Sequence, residues 1–299
     1  MKTVESNPTV HLPRSEHMSY RTKKLILKIV YHVSVILIGF IMIYPLIWMV
    51  GSSFKPLNEI FTDAIRLIPK EFVTYNYSNG WRGFAGYSFA DFFSNSFVIS
   101  SLATLGSLLS SPFIAFGFAR LRFKGRRVWF SLMLLTMMLP FQIIMIPQYI
   151  IFHNLGWVGS ILPLIIPSYF GGAFFIFLII QFIDGIPREL DEAAKIDGCS
   201  WYGIYGRIIL PLIVPAVVTA GIFAFMWKWD DFLSSLLYLN APKQYTVSIA
   251  LKMFSDPNSG SDWGAMFAMA TLSILPIMLI FIFCQKYLVE GISSEGIKG

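Results

Sequence analysis

Charged side chains of both signs cluster in one short stretch between two apolar segments. Arg188, Asp191, Glu192, Lys195 and Asp197 follow one another at helical spacing. Groups in this arrangement act through ion pairs and hydrogen bonds to a neighbouring surface, so we expect a docking site rather than a reaction centre. The chain also lacks the Gly-x-x-x-x-Gly-Lys-Ser/Thr, His-Glu-x-x-His and Gly-x-Ser-x-Gly sequences. We therefore predict no catalytic residues and no nucleotide bound to this chain through a P-loop.

The residues that could bind a metal are few and dispersed. The 4 histidines are His11, His17, His32 and His153, and the 2 cysteines are Cys199 and Cys284. A structural metal site needs several ligands brought together, and the two cysteines are expected at different depths. The sequence predicts neither a metal site, nor a cofactor, nor a disulfide in this chain.

Local signals divide the charged stretch into two helices around a glycine. Pro187 suits the first turn of a helix over residues 188–196. Gly198 suits the left-handed residue that ends such a helix, and Ser200 suits the N-cap of the next one. The second helix is predicted from an apolar stripe at positions i, i+3, i+4 and i+7, formed by Trp201, Ile204, Tyr205 and Ile208.

The first of these helices carries both charges and small apolar groups. Two pairs at i,i+4 spacing are expected to brace it, Arg188 with Glu192 and Asp191 with Lys195. Leu190, Ala193 and Ala194 give a face that a partner can approach closely. A solvated loop with self-paired charges is the plainer alternative, but it would leave the aromatic stripe of the second helix in water.

The composition places the chain in a membrane. Of its 299 residues, 56% are hydrophobic and 13% are charged, whereas a soluble domain carries about 25% charged residues. The chain therefore lacks the polar surface that it would need to cover itself in water. No basic patch lies on a segment that could form a soluble domain, so we expect no nucleic acid as a partner, and membrane lipid as the surroundings.

We predict an all-α membrane protein with six transmembrane helices. A helix needs about 20 apolar residues to cross the hydrocarbon core, and such segments occur at residues 27–50, 92–119, 128–146, 161–182, 210–229 and 266–287. Pro140 and Pro147 fall near the end of the third segment. Residues 147–160 are predicted to form a short helix at the outer interface. No cleaved signal peptide is expected, because the first apolar run is longer than that of a secretory signal.

The lysines and arginines orient the predicted helices. Most of the 23 basic residues fall on the side that holds the N-terminus and the charged stretch, including a compact cluster at residues 120–127. Because such residues concentrate on the cytoplasmic side, both termini and the docking stretch are predicted to be cytoplasmic. The predicted organisation is a cytoplasmic tail at residues 1–24, a transmembrane domain at 25–290 and a second cytoplasmic tail at 291–299.

Residues of the charged stretch keep a fixed spacing over its whole length. Glu-Ala-Ala, three residues, Gly, nine residues and Ile-x-Leu-Pro are represented by Glu192, Ala193, Ala194, Gly198, Ile208, Leu210 and Pro211. This pattern resembles the EAA motif of permease subunits in binding-protein-dependent ABC importers. Residues 227–232 and 285–299 resemble the corresponding segments of carbohydrate permeases of the maltose-transporter G type. The resemblance extends over about residues 25–299.

The resemblance implies that the charged stretch docks on a separate cytoplasmic ATPase, which would hold ATP and Mg. In such importers the EAA helices sit in a cleft of the ATPase, and its ATP-driven closure moves them. The implied core contact is Glu192, Ala193, Ala194 and Gly198, with Arg188 and Asp197 at its rim. The family's C-terminal tail also reaches the ATPase, which makes Ile297, Lys298 and Gly299 candidate contacts. A frayed terminus is the ordinary alternative for the tail.

The same resemblance implies the rest of the assembly. A second permease subunit would complete a heterodimer in the bacterial inner membrane, with two ATPase subunits in the cytoplasm. A solute-binding protein would dock on the outer side, where residues 239–262 and 148–160 are the candidate contacts. Ordinary connecting loops are the alternative for both segments.

The implied substrate is a carbohydrate, and an oligosaccharide in particular. Aromatic and acidic residues at the end of the fifth predicted helix suit sugar stacking and hydrogen bonding, which makes Trp227, Trp229, Asp230 and Asp231 candidates for the translocation path. An interfacial aromatic belt would explain the two tryptophans equally well.

Two other classes of protein are weaker alternatives. A self-sufficient secondary transporter would show inverted repeats and ionisable residues within the spans, and neither is evident. A membrane-embedded enzyme is disfavoured by the missing catalytic motifs.

Overall fold

The computed structural model describes residues 20–256 and 261–293. These residues form helices joined by turns, with one isolated bridge between Phe84 and Tyr87. In chain order the α-helices are α1 (Tyr20–Ser52), α2 (Leu57–Thr62), α3 (Tyr75–Arg82), α4 (Phe89–Arg120), α5 (Arg126–Met138), α6 (Phe141–Asn154), α7 (Leu162–Ile165), α8 (Ala173–Asp184), α9 (Glu189–Ile196), α10 (Trp201–Ile204), α11 (Leu210–Leu212), α12 (Val214–Trp229), α13 (Phe232–Tyr238), α14 (Val247–Phe254) and α15 (Trp263–Ser293).

The chain divides into two compact units between Trp48 and Met49. The described part of the first unit belongs to α1, whose apolar side chains at residues 25–42 are exposed. The second unit contains the other helices. The predicted helical character of the chain is confirmed for the described residues.

Helix α4 is the centre of the second unit. It packs along α8 and α12, and its buried positions are mostly small, including Ser100, Ala103, Ser107 and Ser111. Small residues let helices approach closely in a membrane protein, where packing replaces the hydrophobic driving force. Gly106 shows how close the approach is, because a Cβ atom there would collide with the ring of Tyr169.

Two apolar clusters hold the ends of this unit. At the end that carries α9, the cluster joins α4, α8 and α12 and includes Phe116, Ile179, Ile204 and Ala216. At the opposite end, the start of α4 packs with α12, α14 and α15 through residues such as Phe92, Trp229, Val247 and Met269.

Four helical segments are long and apolar enough to cross a membrane by length and composition: Lys23–Ser52, Phe89–Arg120, Leu162–Asp184 and Trp263–Tyr287. They cover the first, second, fourth and sixth predicted spans. Two further spans result only if each of two bent helix pairs is taken as one. The described residues therefore contain four to six candidate spans, where the sequence predicted six.

The third predicted span is broken rather than straight. Helix α5 ends at Met138, and α6 begins at Phe141 at an angle of 104° to it. The break falls at Pro140, because a proline has no N–H to donate and forces the preceding residue out of helical geometry. Leu139 accordingly has φ −80° and ψ 118°. Of the interfacial helix predicted at 147–160, residues 147–154 are helical and form the second half of α6, which ends at Asn154.

The fifth predicted span is also bent. Residues Trp201–Leu212 and Val214–Trp229 meet at an angle of 76°, with Ile213 between them at φ −96° and ψ 9°. Pro215 lies in the first turn of α12, where a missing N–H costs little. The apolar segment predicted at 210–229 therefore consists mostly of α12, and Pro211 lies before the bend rather than at the start of the span.

Candidate functional site

Helix α9 ends where the sequence predicted and begins one residue after the predicted start at residue 188. It runs from Glu189 to Ile196, directly after Pro187 and Arg188. Gly198 has φ +79°, a left-handed conformation that side chains with a Cβ atom rarely adopt. The Gly198 N–H donates to Lys195 O at 3.0 Å and the Cys199 N–H donates to Ala194 O at 2.9 Å. This hydrogen-bond pattern is the Schellman motif, which ends a helix at a glycine.

The second helix of the charged stretch is also present. Ser200 caps it, with its Oγ accepting a hydrogen bond from Gly203 N at 3.2 Å. The helix continues from α10 through a π-helical turn at Tyr205–Ile209 into α11. Its aromatic stripe packs on α4, since the ring of Phe116 lies 6.2 Å from Trp201 and 5.3 Å from Tyr205. The stripe therefore anchors the stretch to the spanning helices.

A buried ion pair fastens α9 to the rest of the unit. Arg120 Nε lies 2.9 Å from Asp191 Oδ2, and the two side chains are 2% and 7% exposed. The Nε–H of Arg120 makes no hydrogen bond of good geometry, so the contact with the carboxylate is ionic, and Asp191 Oδ1 has no hydrogen-bond partner among the described residues. Arg120 Nη2 donates to Ile183 O at 3.0 Å and to Ile186 O at 2.6 Å.

The two bracing pairs predicted within α9 are not among the ion pairs of the described residues. Asp191 faces inward to Arg120 instead, because a buried guanidinium requires a counter-charge. Arg188 Nη2 donates to Ala119 O at 3.4 Å, and Lys195 Nζ lies 3.8 Å from the ring centroid of Trp201. The prediction failed because spacing along one helix carries no information about charges on a different helix.

The residues of the EAA pattern separate into an exposed and an inner group. Glu192, Ala193, Asp197 and Gly198 are exposed, whereas Ala194 is buried. Ile208 and Leu210 pack against the apolar cluster beneath the stretch, and Pro211 is exposed. The exposed face also contains Ile196, which is 87% exposed and which the sequence did not single out.

A groove borders this exposed face. It has a volume of about 550 Å³ and lies between the loop after α4 and helix α9. Its walls carry charges of both signs, contributed by Arg120, Arg122, Arg188, Asp191, Glu192 and Lys195. A partner that presents its own charged side chains to this groove would meet complementary groups.

The four candidates at the end of α12 point in different directions. Trp227 is 51% exposed and lines a cavity of about 210 Å³, whereas Trp229 is 3% exposed and donates from Nε1 to Ser273 O at 3.1 Å. Asp231 lines an adjoining cavity of about 390 Å³ and lies 3.5 Å from Lys228 Nζ. Asp230 is exposed beside them and lines neither cavity.

Several residues of these two cavities were missed by sequence reasoning. Lys228 lines both of them, and Gln148 and Tyr238 line the larger one. The Tyr238 hydroxyl donates to Gln148 Oε1 at 3.4 Å. Burial, reinforced by the nearby Asp231 carboxylate, raises the pKa of Tyr238 above its ordinary value. In the sequence, the i,i+3 spacing of Lys228 and Asp231 could have indicated that these two residues form a pair.

Arg120 was also missed as a site residue, because an arginine at the cytoplasmic end of a predicted span is explained by orientation alone. Ile297, Lys298 and Gly299 lie outside the described residues.

The chain is similar to membrane components of known transport systems. Residues 111–294 match the family described as binding-protein-dependent transport system inner membrane component. The probable ABC transporter permease protein YurM of Bacillus subtilis is 34% identical over 258 residues, which cover 86% of this chain and 84% of that protein. The galactooligosaccharides transport system permease protein GanQ of the same species is 35% identical over 261 residues, 87% of this chain and 91% of that protein.

A solved structure has the same fold. It is the crystal structure of a bacterial ABC transporter involved in the import of the acidic polysaccharide alginate, and one of its chains superposes with a TM-score of 0.76 at 22% identity. The superposition covers 90% of this chain and 99% of that chain. At this identity the likeness supports the fold alone.

Proposed function

This chain belongs to the family of binding-protein-dependent transport system inner membrane components, and from that premise we propose that it imports carbohydrates, specifically oligosaccharides. Members of the family are ABC transporter permease subunits of the bacterial inner membrane and are not themselves enzymes. The observation that carries the substrate class is the 35% identity to a galactooligosaccharide permease over nearly the whole chain. Self-sufficient secondary transport finds no support among these relatives.

The proposed orientation puts both termini and α9 in the cytoplasm. The proposed boundaries are those of a transmembrane domain at residues 25–290, with cytoplasmic tails at 1–24 and 291–299. The excess of lysine and arginine on the α9 side supports this orientation. The outer side then holds the cavities lined by Trp227, Lys228 and Asp231.

The proposed docking site for the ATPase is the exposed face of α9 with the turn at Gly198. Glu192, Ala193, Asp197 and Gly198 would contact the ATPase directly, in the manner of a helix lying in a groove. Arg188, Ala194, Ile208 and Leu210 would support the contact from beneath, because they are bonded or packed against the spanning helices, and exposed Pro211 would lie beside it. Ile297, Lys298 and Gly299 are proposed as additional contacts. ATP and Mg would be bound by the ATPase.

The proposed mechanism is alternating access driven at this docking site. An ATPase shifts the equilibrium between two states of the permease only if it binds one state better than the other. Force applied to α9 would reach α4 and α8 through Arg120, which joins Asp191 to Ile183 and Ile186. Rigid-body motion of the spanning helices would then open the path to one side at a time.

The proposed partners complete an importer. They are a second permease subunit in a heterodimer, two ATPase subunits and an extracytoplasmic solute-binding protein. Residues 148–160 and the described parts of 239–262 are the proposed contacts with the binding protein. The proposed translocation path runs past Trp227 and Asp231, with Asp230 at its outer edge and Trp229 supporting it from the core.

The substrate class can be tested in cells that lack this chain. We expect such cells to lose uptake of one class of labelled oligosaccharide, with galactooligosaccharides as the first probe, and to regain it when the full chain is restored. Uptake of a monosaccharide by an unrelated system is the control. Unchanged uptake of every oligosaccharide tested, together with loss of a non-carbohydrate solute, would refute the proposed substrate.

A further inference from the structure

A second cavity lies close to the docking groove and is not explained by docking. Its volume is about 820 Å³, and it opens between the end of α4, the loop that follows it, the start of α5 and the face of α8. The loop residues Arg122 and Phe123 separate the two spaces, since they line both this cavity and the groove beside α9.

The rim of the cavity is strongly basic. Arg122, Arg126 and Arg127 line it, and none of the three takes part in an ion pair or side-chain hydrogen bond among the described residues. The first turn of α5 adds to the positive potential, because it contains no acidic residue and no side-chain cap. Asp184 is the single acidic residue among the lining side chains, and Gln181 lies beside it.

The wall of the cavity is apolar. Phe118 on α4, Phe130 on α5, and Phe177 and Ile180 on α8 line it, and Phe118, Phe130 and Phe177 are half-buried. A soluble anion would need the arginines but not this wall, and an apolar solute would need the wall but not the arginines. The combination fits an amphiphile with an anionic head.

We propose that this cavity binds an anionic phospholipid of the cytoplasmic leaflet. The guanidinium groups of Arg122, Arg126 and Arg127 would hold the phosphate, since arginine binds phosphate oxygens in a bidentate manner. An acyl chain would lie along Phe118, Phe130 and Phe177. Basic pockets between transmembrane helices on this side of the membrane are suited to lipid head groups. The proposal rests on the proposed orientation and is independent of which substrate is transported.

The orientation rule alone would also place arginines in this loop, and Lys124 separates the two explanations. Lys124 lies in the same loop with the same charge, but it does not line the cavity. A general attraction of the loop to an anionic surface would involve Lys124 as much as its neighbours. A defined site would not.

The test is native mass spectrometry of the full chain in its purified complex, released from neutral detergent. Dioleoyl phosphatidylglycerol, dioleoyl phosphatidylcholine and glycerol phosphate are titrated separately, and apparent dissociation constants are taken from the bound fractions. We expect saturable binding of phosphatidylglycerol, at least about tenfold tighter than phosphatidylcholine, and no comparable binding of glycerol phosphate. Equal affinity for the two lipids would overturn the proposal, and so would glycerol phosphate binding as tightly as the lipid.

The variants decide whether binding takes place in this cavity. Arg126→Gln and Arg127→Gln are each expected to weaken phosphatidylglycerol binding about fivefold, and R122Q/R126Q/R127Q is expected to weaken it roughly a hundredfold. These values follow from the contribution that one basic residue makes to the binding of an anionic lipid. Lys124→Gln is expected to bind as the unchanged chain does. A fivefold loss in Lys124→Gln, or unchanged binding in the two single arginine variants, would contradict the site. The single variants keep the test decisive if the triple variant fails to assemble. Because binding is the readout, the result does not depend on transport.

Discussion

Arg120 and Asp191 form an ion pair that is almost fully buried, with Arg120 Nε 2.9 Å from Asp191 Oδ2. The same guanidinium donates to two carbonyl oxygens at the end of α8. One side chain on α4 therefore holds the ends of two spanning helices and the exposed helix α9 together. The ion pair and the hydrogen bond to Ile183 O are buried, and the hydrogen bond to Ile186 O is partly buried.

Loss of the Asp191 charge should destabilise the protein strongly. Asp191→Asn leaves the Arg120 guanidinium buried without a counter-charge, so we expect the free energy of unfolding to fall by about 3–5 kcal/mol. Denaturant titration of the purified chain in detergent micelles measures this change. Asp184→Asn is the matched control, because Asp184 is exposed, and a change within about 0.5 kcal/mol is expected there.

The pairing itself is tested by a double-mutant cycle. Arg120→Gln combined with Asp191→Asn should cost less than the sum of the two single changes, with a coupling of about 1–3 kcal/mol. Additive losses would show that the two side chains act independently. They would contradict a mechanism in which this ion pair attaches α9 to the spanning helices.

We expect the left-handed backbone conformation of Gly198 to be required for coupling ATP hydrolysis to uptake. A Cβ atom at Gly198 would meet nothing within 4 Å, so the cost of Gly198→Val lies in the backbone, about 1–2 kcal/mol for a side chain forced to φ +79°. We expect ATP hydrolysis that is no longer coupled to uptake, measured as the ratio of the two rates in the assembled complex.

Two further glycine variants distinguish geometry from bulk. Gly198→Asn should retain most coupling, because asparagine tolerates the left-handed region. Gly206→Ala should be neutral, because Gly206 lies inside the next helix, where an added Cβ atom would also meet nothing within 4 Å. Full coupling in Gly198→Val would exclude the turn from the docking site.

Charge reversal at Glu192 should release the ATPase without unfolding the permease. Glu192 is exposed, so Glu192→Lys should change the free energy of unfolding by no more than about 0.5 kcal/mol. A like charge placed against the partner should weaken ATPase binding about tenfold or more, as measured by co-purification at increasing salt. Glu71→Lys makes the same charge change between α2 and α3 and should leave ATPase binding intact. Equal loss in the two variants would point to a general charge effect.

Substitutions of the two tryptophans at the end of α12 should affect different properties: stability for Trp229 and transport for Trp227. Trp229→Phe removes the hydrogen bond to Ser273 O in the core and should cost about 1–3 kcal/mol of unfolding free energy. Trp227→Phe removes the indole of a half-exposed side chain that lines the cavity but keeps a ring to pack against Phe174 and Phe175, and it should lower uptake at low substrate concentration with a smaller effect on stability. Unchanged uptake in the Trp227 variant, with reduced uptake in Trp229→Phe, would contradict a translocation path that runs past Trp227.

The parts of the fold that depend on residues adjacent in the sequence were predictable. Pro187, Gly198 and Ser200 determine the boundaries of the two helices of the charged stretch through local backbone chemistry, and the observed boundaries agree with them to within one residue. Pro140, near the end of the third predicted segment, lies at the break between α5 and α6 for the same reason. The angle of the bend could not be predicted, because it depends on how α5 and α6 pack against other helices.

Contacts between distant segments were not predictable. Asp191 was expected to pair with Lys195 on its own helix, but it pairs with Arg120 at the end of another one. The different directions of Trp227 and Trp229 also escaped prediction, because α12 is apolar apart from Thr219 and Lys228 and has no continuous polar side to orient it. The cavity beside Arg126 forms only when α5 packs against α8.

We expect this permease to move substrate only when a separate ATPase drives it through α9. The most direct measurement is uptake of labelled oligosaccharide into sealed vesicles, using purified permease subunits with the solute-binding protein, in the presence and absence of the ATPase and ATP. We predict uptake only when both are present, and loss of that uptake when Glu192→Lys replaces the unchanged chain. Uptake that continues without the ATPase and ATP would show that α9 is not needed to drive transport.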